Sequence, residues 1–242
     1  MPINHKFKDT QFTNEFSTEN AVLVKTPYQP EILFLGTFNP DTDEDANMAD
    51  FFYGRNWFWP ILFNIFEYNQ QVQIETQRRF TNPLNPSLNE IFQFMRTHKL
   101  SFADLIVQVF PDDEINCLAA NHVIINNSHY DLINDGDLAK INRTNSVRWS
   151  TKFIIDYINQ NPSISQVYFT RKPVKPFSEQ LQQIQEVLNE RGVIIKYLFT
   201  PSGQGLPGQP RNLTIMNQWL HSIREGFDNL DTNWTGYNDN NN

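Results

Sequence analysis

A single cysteine, Cys117, stands in the whole chain, which excludes an intramolecular disulfide, a four-thiolate iron–sulfur cluster and a cysteine-rich zinc site. An intracellular setting is the expectation. No apolar run approaches the roughly 18 to 20 residues of a membrane span. The start, Met1-Pro2-Ile3-Asn4-His5-Lys6, lacks the apolar stretch of a signal peptide. We therefore expect a soluble, cytoplasmic protein with no membrane partner. Positive charge is also short: 19 Lys and Arg face 27 Asp and Glu, a formal net charge of −8. Phosphate binding is driven by Lys and Arg, so this balance argues on its face against a nucleic-acid partner.

Hydrophobic residues make up 39% of the 242, enough to bury a full core without covalent staples. Ile32-Leu33-Phe34-Leu35, bounded by Pro30 and Gly36, is a short continuous apolar run of the kind buried on both faces of a parallel sheet. Val167-Tyr168-Phe169, the segment from Val193 to Phe199, and Phe102 to Val109 are three further strand candidates. Helical spacing links Phe58, Ile61, Leu62, Ile65 and Phe66, with Pro60 at an early position where its missing N–H is harmless. The same spacing recurs in Leu88, Ile91, Phe92 and Met95, in Phe153, Ile154, Tyr157 and Ile158, and in Phe177, Leu181, Ile184 and Leu188 before Gly192 as a C′ residue. A last helix carries Leu213, Met216, Leu220 and Ile223, with Asn212 as its N-cap.

Strands alternating with helices predict an α/β fold with a mostly parallel, four-stranded sheet covered by helices on both faces. No linker divides the chain. One domain is expected over residues 1–225, with 1–27 as a peripheral arm, followed by a disordered Asn/Asp-rich tail over 226–242.

In open α/β sheets ligands bind beyond the carboxyl ends of the strands. Two loops there have unusual composition. One runs Gly36-Thr37-Phe38-Asn39-Pro40 and continues to Phe51-Phe52-Tyr53-Gly54-Arg55-Asn56-Trp57-Phe58-Trp59-Pro60. The other, Thr200-Pro201-Ser202-Gly203-Gln204-Gly205-Leu206-Pro207-Gly208-Gln209-Pro210-Arg211-Asn212, holds three of the nine glycines. Such a loop can bring backbone N–H groups close to a ligand.

At these residues the chain resembles the uracil-DNA glycosylase superfamily. Phe52 to Trp59 is most similar to its hypoxanthine-type branch, and Asn39-Pro40 to the mismatch-specific branch. The run Leu100 to Ile106, with Asp104, and the strand ending Thr170-Arg171-Lys172 sit where that fold has its second and third strands. The resemblance implies a three-layer α/β/α sandwich and a monofunctional DNA glycosylase of base excision repair that flips a deaminated base, uracil or hypoxanthine, and hydrolyses its N-glycosidic bond. It implies damaged DNA as partner, no cofactor, no metal and a monomer. Breaking that bond passes through an oxocarbenium-like state, so a positioned asparagine carbonyl that orients water can suffice.

Carried over residue by residue, the resemblance makes Asn39 and Asn56 alternative water-positioning residues; Asn39 is separated from Gly36 by one residue more than the family pattern. Phe38, Phe52 and Tyr53 become candidates for base binding. Ser202 and Gly203 match a phosphate-gripping loop, Leu206 a wedge into the base stack, and Arg211 a phosphate clamp. The chain has no Gly-Gln-Asp-Pro-Tyr sequence, and its acidic segment from Asp41 to Asp50 has no counterpart in the pattern. Two other readings stand beside this one: a non-catalytic module that binds damaged DNA or nucleobases, and a hydrolase of free nucleosides or nucleotides. His122 and His129 lack metal-ligand spacing and read as structural or surface residues.

The charge objection weakens once it is placed along the chain. Residues 41–50, 112–114 and 131–137 hold eleven acids and no Lys or Arg, leaving 16 acidic against 19 basic residues elsewhere. Lys140, Arg143, Arg148 and Lys152 form an acid-free stretch, and Arg171, Lys172 and Lys175 follow a strand end. A modest, localised basic footprint is the expectation.

Overall fold

The structure, a computed structural model, describes residues 3–13, 15–41, 50–54, 56–69, 86–109, 147–203 and 211–233. Among them the strands are β1 (Ile3–Asn4), β2 (Ser17–Glu19), β3 (Val22–Lys25), β4 (Ile32–Gly36), β5 (Leu100–Asp104), β6 (Ile106–Val109), β7 (Val147–Trp149), β8 (Gln166–Phe169) and β9 (Ile195–Tyr197). The helices are α1 (Phe58–Phe66), α2 (Leu88–His98), α3 (Thr151–Gln160), α4 (Phe177–Asn189) and α5 (Arg211–His221).

β4 is buried at all five positions, as its unbroken apolar run requires. It pairs in parallel with β5 on one side and β8 on the other, and β8 pairs in parallel with β9. These are the four expected strands. The sheet nevertheless has six, in the order β2-β3-β5-β4-β8-β9, because the antiparallel hairpin β2–β3 extends it beyond β5. The segment expected as a peripheral arm is thus partly built into the central sheet. It lacks the continuous apolar signature because its pairing is antiparallel at an edge, and β3 is buried only at its first two positions.

The expected strand from Phe102 to Val109 is two strands. Leu105 breaks it: its N–H donates to the Gly36 carbonyl, and the chain then leaves for a second sheet of order β1-β6-β7. The strand expected from Val193 to Phe199 shrinks to β9, with Ile194 70% exposed.

Strand side chains alternate between two hydrophobic clusters, following the two-residue period of a strand. Ile32, Phe34, Leu100, Phe102 and Tyr168 pack with residues of α1, α2 and α5. Leu33, Leu35, Ala103, Val167, Phe169 and Ile195 pack with residues of α3 and α4. The apolar stripes of α1 to α4 are buried as their spacing predicts, except at Phe66, Leu88 and Phe153, which are half-buried. α2 also carries a full capping box, Ser87 with Glu90. In α5, Met216 and Leu220 are buried, whereas Ile223 lies past the helix end and is 97% exposed. Asn212 lies inside this helix instead of capping it. Gly192 takes a positive φ of 67° two residues beyond the α4 C-cap, Glu190.

Residues 226–233, expected to begin a disordered tail, are packed. Leu230 is 4% exposed, the Tyr197 N–H donates to the Asp228 carboxylate at 2.7 Å, and the Asp231 N–H donates to the Tyr168 hydroxyl at 3.0 Å. Two apolar anchors hold this stretch, Leu230 and Phe227, whose ring centroid lies 5.0 Å from that of Phe199, too few for a hydrophobic pattern to reveal. Residues 234–242 lie outside the described residues.

Phe102 lies at the centre of an aromatic cluster, with ring centroids of Phe34, Phe51, Phe52, Phe58, Tyr53 and Trp59 all within 6.0 Å. Phe102→Ala should lower unfolding free energy by about 3–5 kcal/mol, measured by urea denaturation.

Candidate active site

A cleft of about 550 Å³, its open mouth included, lies at the carboxyl ends of the four parallel strands. β4 leads into Gly36, Thr37, Phe38 and Asn39; β5 ends in Asp104; β8 leads into Thr170 and Arg171; β9 leads into Thr200 and Pro201. Tyr53 and Asn56, from the loop before α1, complete the described lining.

The parallel register sets Gly36 opposite Asp104. A Cβ at position 36 would lie 2.0 Å from Asp104 Oδ1 and 3.1 Å from the Tyr53 hydroxyl, so only glycine lets the carboxylate reach the cleft here. Asp104 Oδ2 bonds His5 Nε2 at 2.6 Å, and Asp104 is 5% exposed. The Thr170 hydroxyl donates to the Tyr53 oxygen at 3.1 Å. Burial, reinforced by the negative Asp104, pushes the Tyr53 phenol well above its ordinary range, so it stays protonated and can donate. Arg171 packs over the Phe177 ring at 5.1 Å, and partial burial lowers its pKa to about 10, which leaves it cationic at neutral pH.

Asn39 is 6% exposed, and its amide Nδ2 is buried without a hydrogen-bond partner among the described residues. Unpaired buried amides are costly in a folded protein, and one lining a cleft points to a ligand acceptor. Its backbone is held firmly: the Asn39 carbonyl accepts from the Lys6 N–H at 2.7 Å.

Of the residues expected in a site, Phe38, Asn39, Tyr53 and Asn56 come together here. Their situations differ. Asn56 Oδ1 accepts from the Phe58 N–H at 3.0 Å, so its carbonyl is committed to starting α1. Tyr53 takes a φ of 61° and stacks on Phe58 at 4.1 Å between ring centroids, leaving one ring face to the site at most. Phe52 does not line the cleft: it is fully buried against Phe7, Phe51, Phe102 and His5, so the expectation that it stacks on a ligand is corrected. A tight turn, closed by the Gly54 N–H donating to the Phe51 carbonyl at 3.1 Å and left-handed at Tyr53, separates the two rings, and the second aromatic reaches the cleft while the first fills the core.

In the second loop the Gly203 N–H donates to the Thr200 carbonyl at 3.0 Å, closing a β-turn whose last residue, Gly203, leaves it with a positive φ of 70°. Ser202 is exposed at its tip. The Pro201 carbonyl accepts from the Trp57 N–H at 3.1 Å and ties this loop to the first. Leu206 lies outside the described residues, as do His122 and His129; Arg211 begins α5 and its side chain is not described. Sequence reasoning missed Thr37, Thr170, Thr200 and His5. Asp104 did carry a signal, as the lone charged residue of a strand otherwise made of Leu, Ser, Phe and Ala.

No family model matches the chain, and no curated protein matches it. A solution NMR structure of a Methanosarcina acetivorans protein, proposed to be a uracil DNA glycosylase, superposes with a TM-score of 0.40 at 12% identity, covering 78% of this chain and 88% of that one. That level is too low to establish a shared fold. Among the described residues, no helix is long and apolar enough to cross a membrane.

The two asparagines should separate by stability. Asn56→Ala should lose about 0.5–1.5 kcal/mol with its hydrogen bond to the Phe58 N–H, whereas Asn39→Ala, which removes an amide unpaired among the described residues, should be neutral or stabilising in urea denaturation. Gly36→Ala should cost about 1–3 kcal/mol by overpacking. That penalty should shrink in an Asp104→Ala background, a coupling that a double-mutant cycle measures.

Proposed function

We propose that this chain is a DNA glycosylase that hydrolyses the N-glycosidic bond of a flipped, deaminated base, uracil or hypoxanthine, on a three-layer α/β/α scaffold. The observation that carries this reading is the buried, unpartnered amide of Asn39 in a cleft at the carboxyl ends of four parallel strands. A base enclosed there would meet amide, phenol and hydroxyl donors, the groups that stabilise negative charge developing on a departing base.

In this mechanism the C1′–N bond breaks, and its electron pair leaves with the base. Water adds through oxygen to the cationic sugar carbon, and its proton passes to solvent or to the departing base. Asn39 orients that water through its carbonyl while its Nδ2 is satisfied by the ligand. Asn56 is the weaker candidate because its carbonyl is already bonded. Arg171, which lines the cleft after β8, offers a phosphate a partly buried cation, and Ser202, in the loop after β9, offers an exposed hydroxyl.

Purified protein, tested on duplexes and single strands carrying uracil, hypoxanthine, xanthine or a T·G mismatch, should release at least one of these bases. Asn39→Ala should slow release by on the order of 10²-fold or more. Affinity for DNA should fall steeply as salt rises. Release of no base from any substrate overturns the proposal; tight binding without release would favour a non-catalytic module, and salt-independent cleavage of free nucleosides a nucleoside hydrolase.

A further inference from the structure

His5 lies 99 residues from Asp104 in sequence, yet the two side chains meet at the floor of the cleft. His5 is 1% exposed. Its Nδ1 accepts from the Phe7 N–H at 3.0 Å, so Nδ1 carries no proton and Nε2 carries one. That Nε2–H donates to Asp104 Oδ2 at 2.6 Å. The ring is wedged among Phe7, Phe38 and Phe52, with centroids at 5.9, 6.1 and 5.5 Å, and has no room to turn.

The backbone around His5 is pinned as firmly as the ring. The His5 N–H donates to the Val107 carbonyl, the Lys6 N–H to the Asn39 carbonyl and the Asp41 N–H to the Asn4 carbonyl, at 2.8, 2.7 and 2.9 Å. One short segment thus bridges the strand that follows Asp104 and the loop that bears Asn39. With Oδ2 occupied, Asp104 presents Oδ1 over the Gly36 backbone beside the Tyr53 hydroxyl, inside the cleft. A buried carboxylate held by a neutral imidazole remains an acceptor for a proton donor brought by the ligand.

We propose that His5 is a positioning residue that aims Asp104 Oδ1 into the cleft, and that Asp104 accepts a hydrogen bond there from a ring N–H of the bound base or from the attacking water. The inference rests on the glycosylase reading for its substrate, though the contact itself does not. A ring N–H as donor makes Asp104 a binding group; water as donor makes it a group felt in turnover.

The test compares full-length wild type with His5→Ala, His5→Gln and Asp104→Asn, each checked for a cooperative unfolding transition. Base release from the best DNA substrate and calorimetric binding of free uracil and free hypoxanthine are measured for each. His5→Ala should lower kcat/KM by on the order of 10- to 100-fold, the worth of a hydrogen bond to a charged group. His5→Gln, whose amide N–H can replace Nε2–H, should recover most of that loss, which a purely structural role in packing would not allow. A ring N–H partner predicts weaker free-base binding in His5→Ala and Asp104→Asn; a water partner predicts reduced kcat with base binding unchanged.

If His5→Ala folds and matches wild type in both measurements, the positioning role is overturned. If His5→Ala does not fold, Gln and Asp104→Asn decide: Asp104→Asn at wild-type levels in both measurements overturns it. Wild type that binds a free base but releases none from DNA sinks the glycosylase reading alone, and the binding arm still judges His5. Wild type that neither releases nor binds any base overturns both.

Discussion

The parallel register of β4 against β5 is the constraint on which the cleft depends. It brings Gly36 level with Asp104, and the missing Cβ lets a carboxylate occupy the space directly above a neighbouring strand. The Gly36 carbonyl then accepts from the Leu105 N–H, so the place where β5 leaves the sheet is set by the same glycine. A slip of one residue would put Asp104 beside Leu35 and reverse which cluster each side chain enters, a change that strands buried on both faces do not tolerate. The two loops inherit their position from this alignment, and the Trp57–Pro201 hydrogen bond locks them together.

Below the cleft, the aromatic cluster around Phe102 supplies the rigidity that the polar groups need. Phe51 and Phe52 close the cluster from the loop side, and Tyr53 sits on the boundary, its ring stacked on Phe58 and its hydroxyl among the polar lining. The left-handed backbone at Tyr53 makes this division possible, because it turns the chain sharply between a core side chain and a site side chain. A non-glycine residue held in that conformation is strained, and such strain is retained where the surrounding packing over-determines it.

Much of this was legible in the residues. Continuous apolar runs marked β4 and β8, because strands buried on both faces leave few polar positions to blur them, whereas β5 was marked only within a longer run from Phe102 to Val109. Helical stripes marked α1 to α4 because one buried face recurs at the 3.6-residue period. The loops flanking Asn39, Tyr53, Asn56 and Thr200 stood out because their composition suits neither helix nor strand. The hairpin β2–β3, the break at Leu105 and the packed stretch at Leu230 were not legible: each is decided by partners remote in sequence, and none has a period of its own. Phe52 and Tyr53 were indistinguishable as neighbours in a string, since only the backbone turn between them assigns one to the core. His5 had no signal at all. A single histidine near a terminus becomes informative only when folding places Asp104 against it.

The net charge of −8 looked like an argument against a polyanionic partner, and the site shows why a global sum is a poor guide. Of the described residues lining the cleft, one is acidic, Asp104, and one is basic, Arg171. Asp104 is bonded by a neutral imidazole at the floor, while Arg171 stands over Phe177 and keeps its charge despite partial burial. Charges farther away than about 8 Å are largely screened at physiological ionic strength, so a ligand entering the cleft meets a locally balanced pair set among neutral donors. Contact with a base inside the cleft then depends on hydrogen-bond geometry, whatever long-range attraction acts on the phosphates outside it. The Asn39 amide, unpaired among the described residues, fits that logic: a buried donor without a partner favours a ligand that supplies an acceptor.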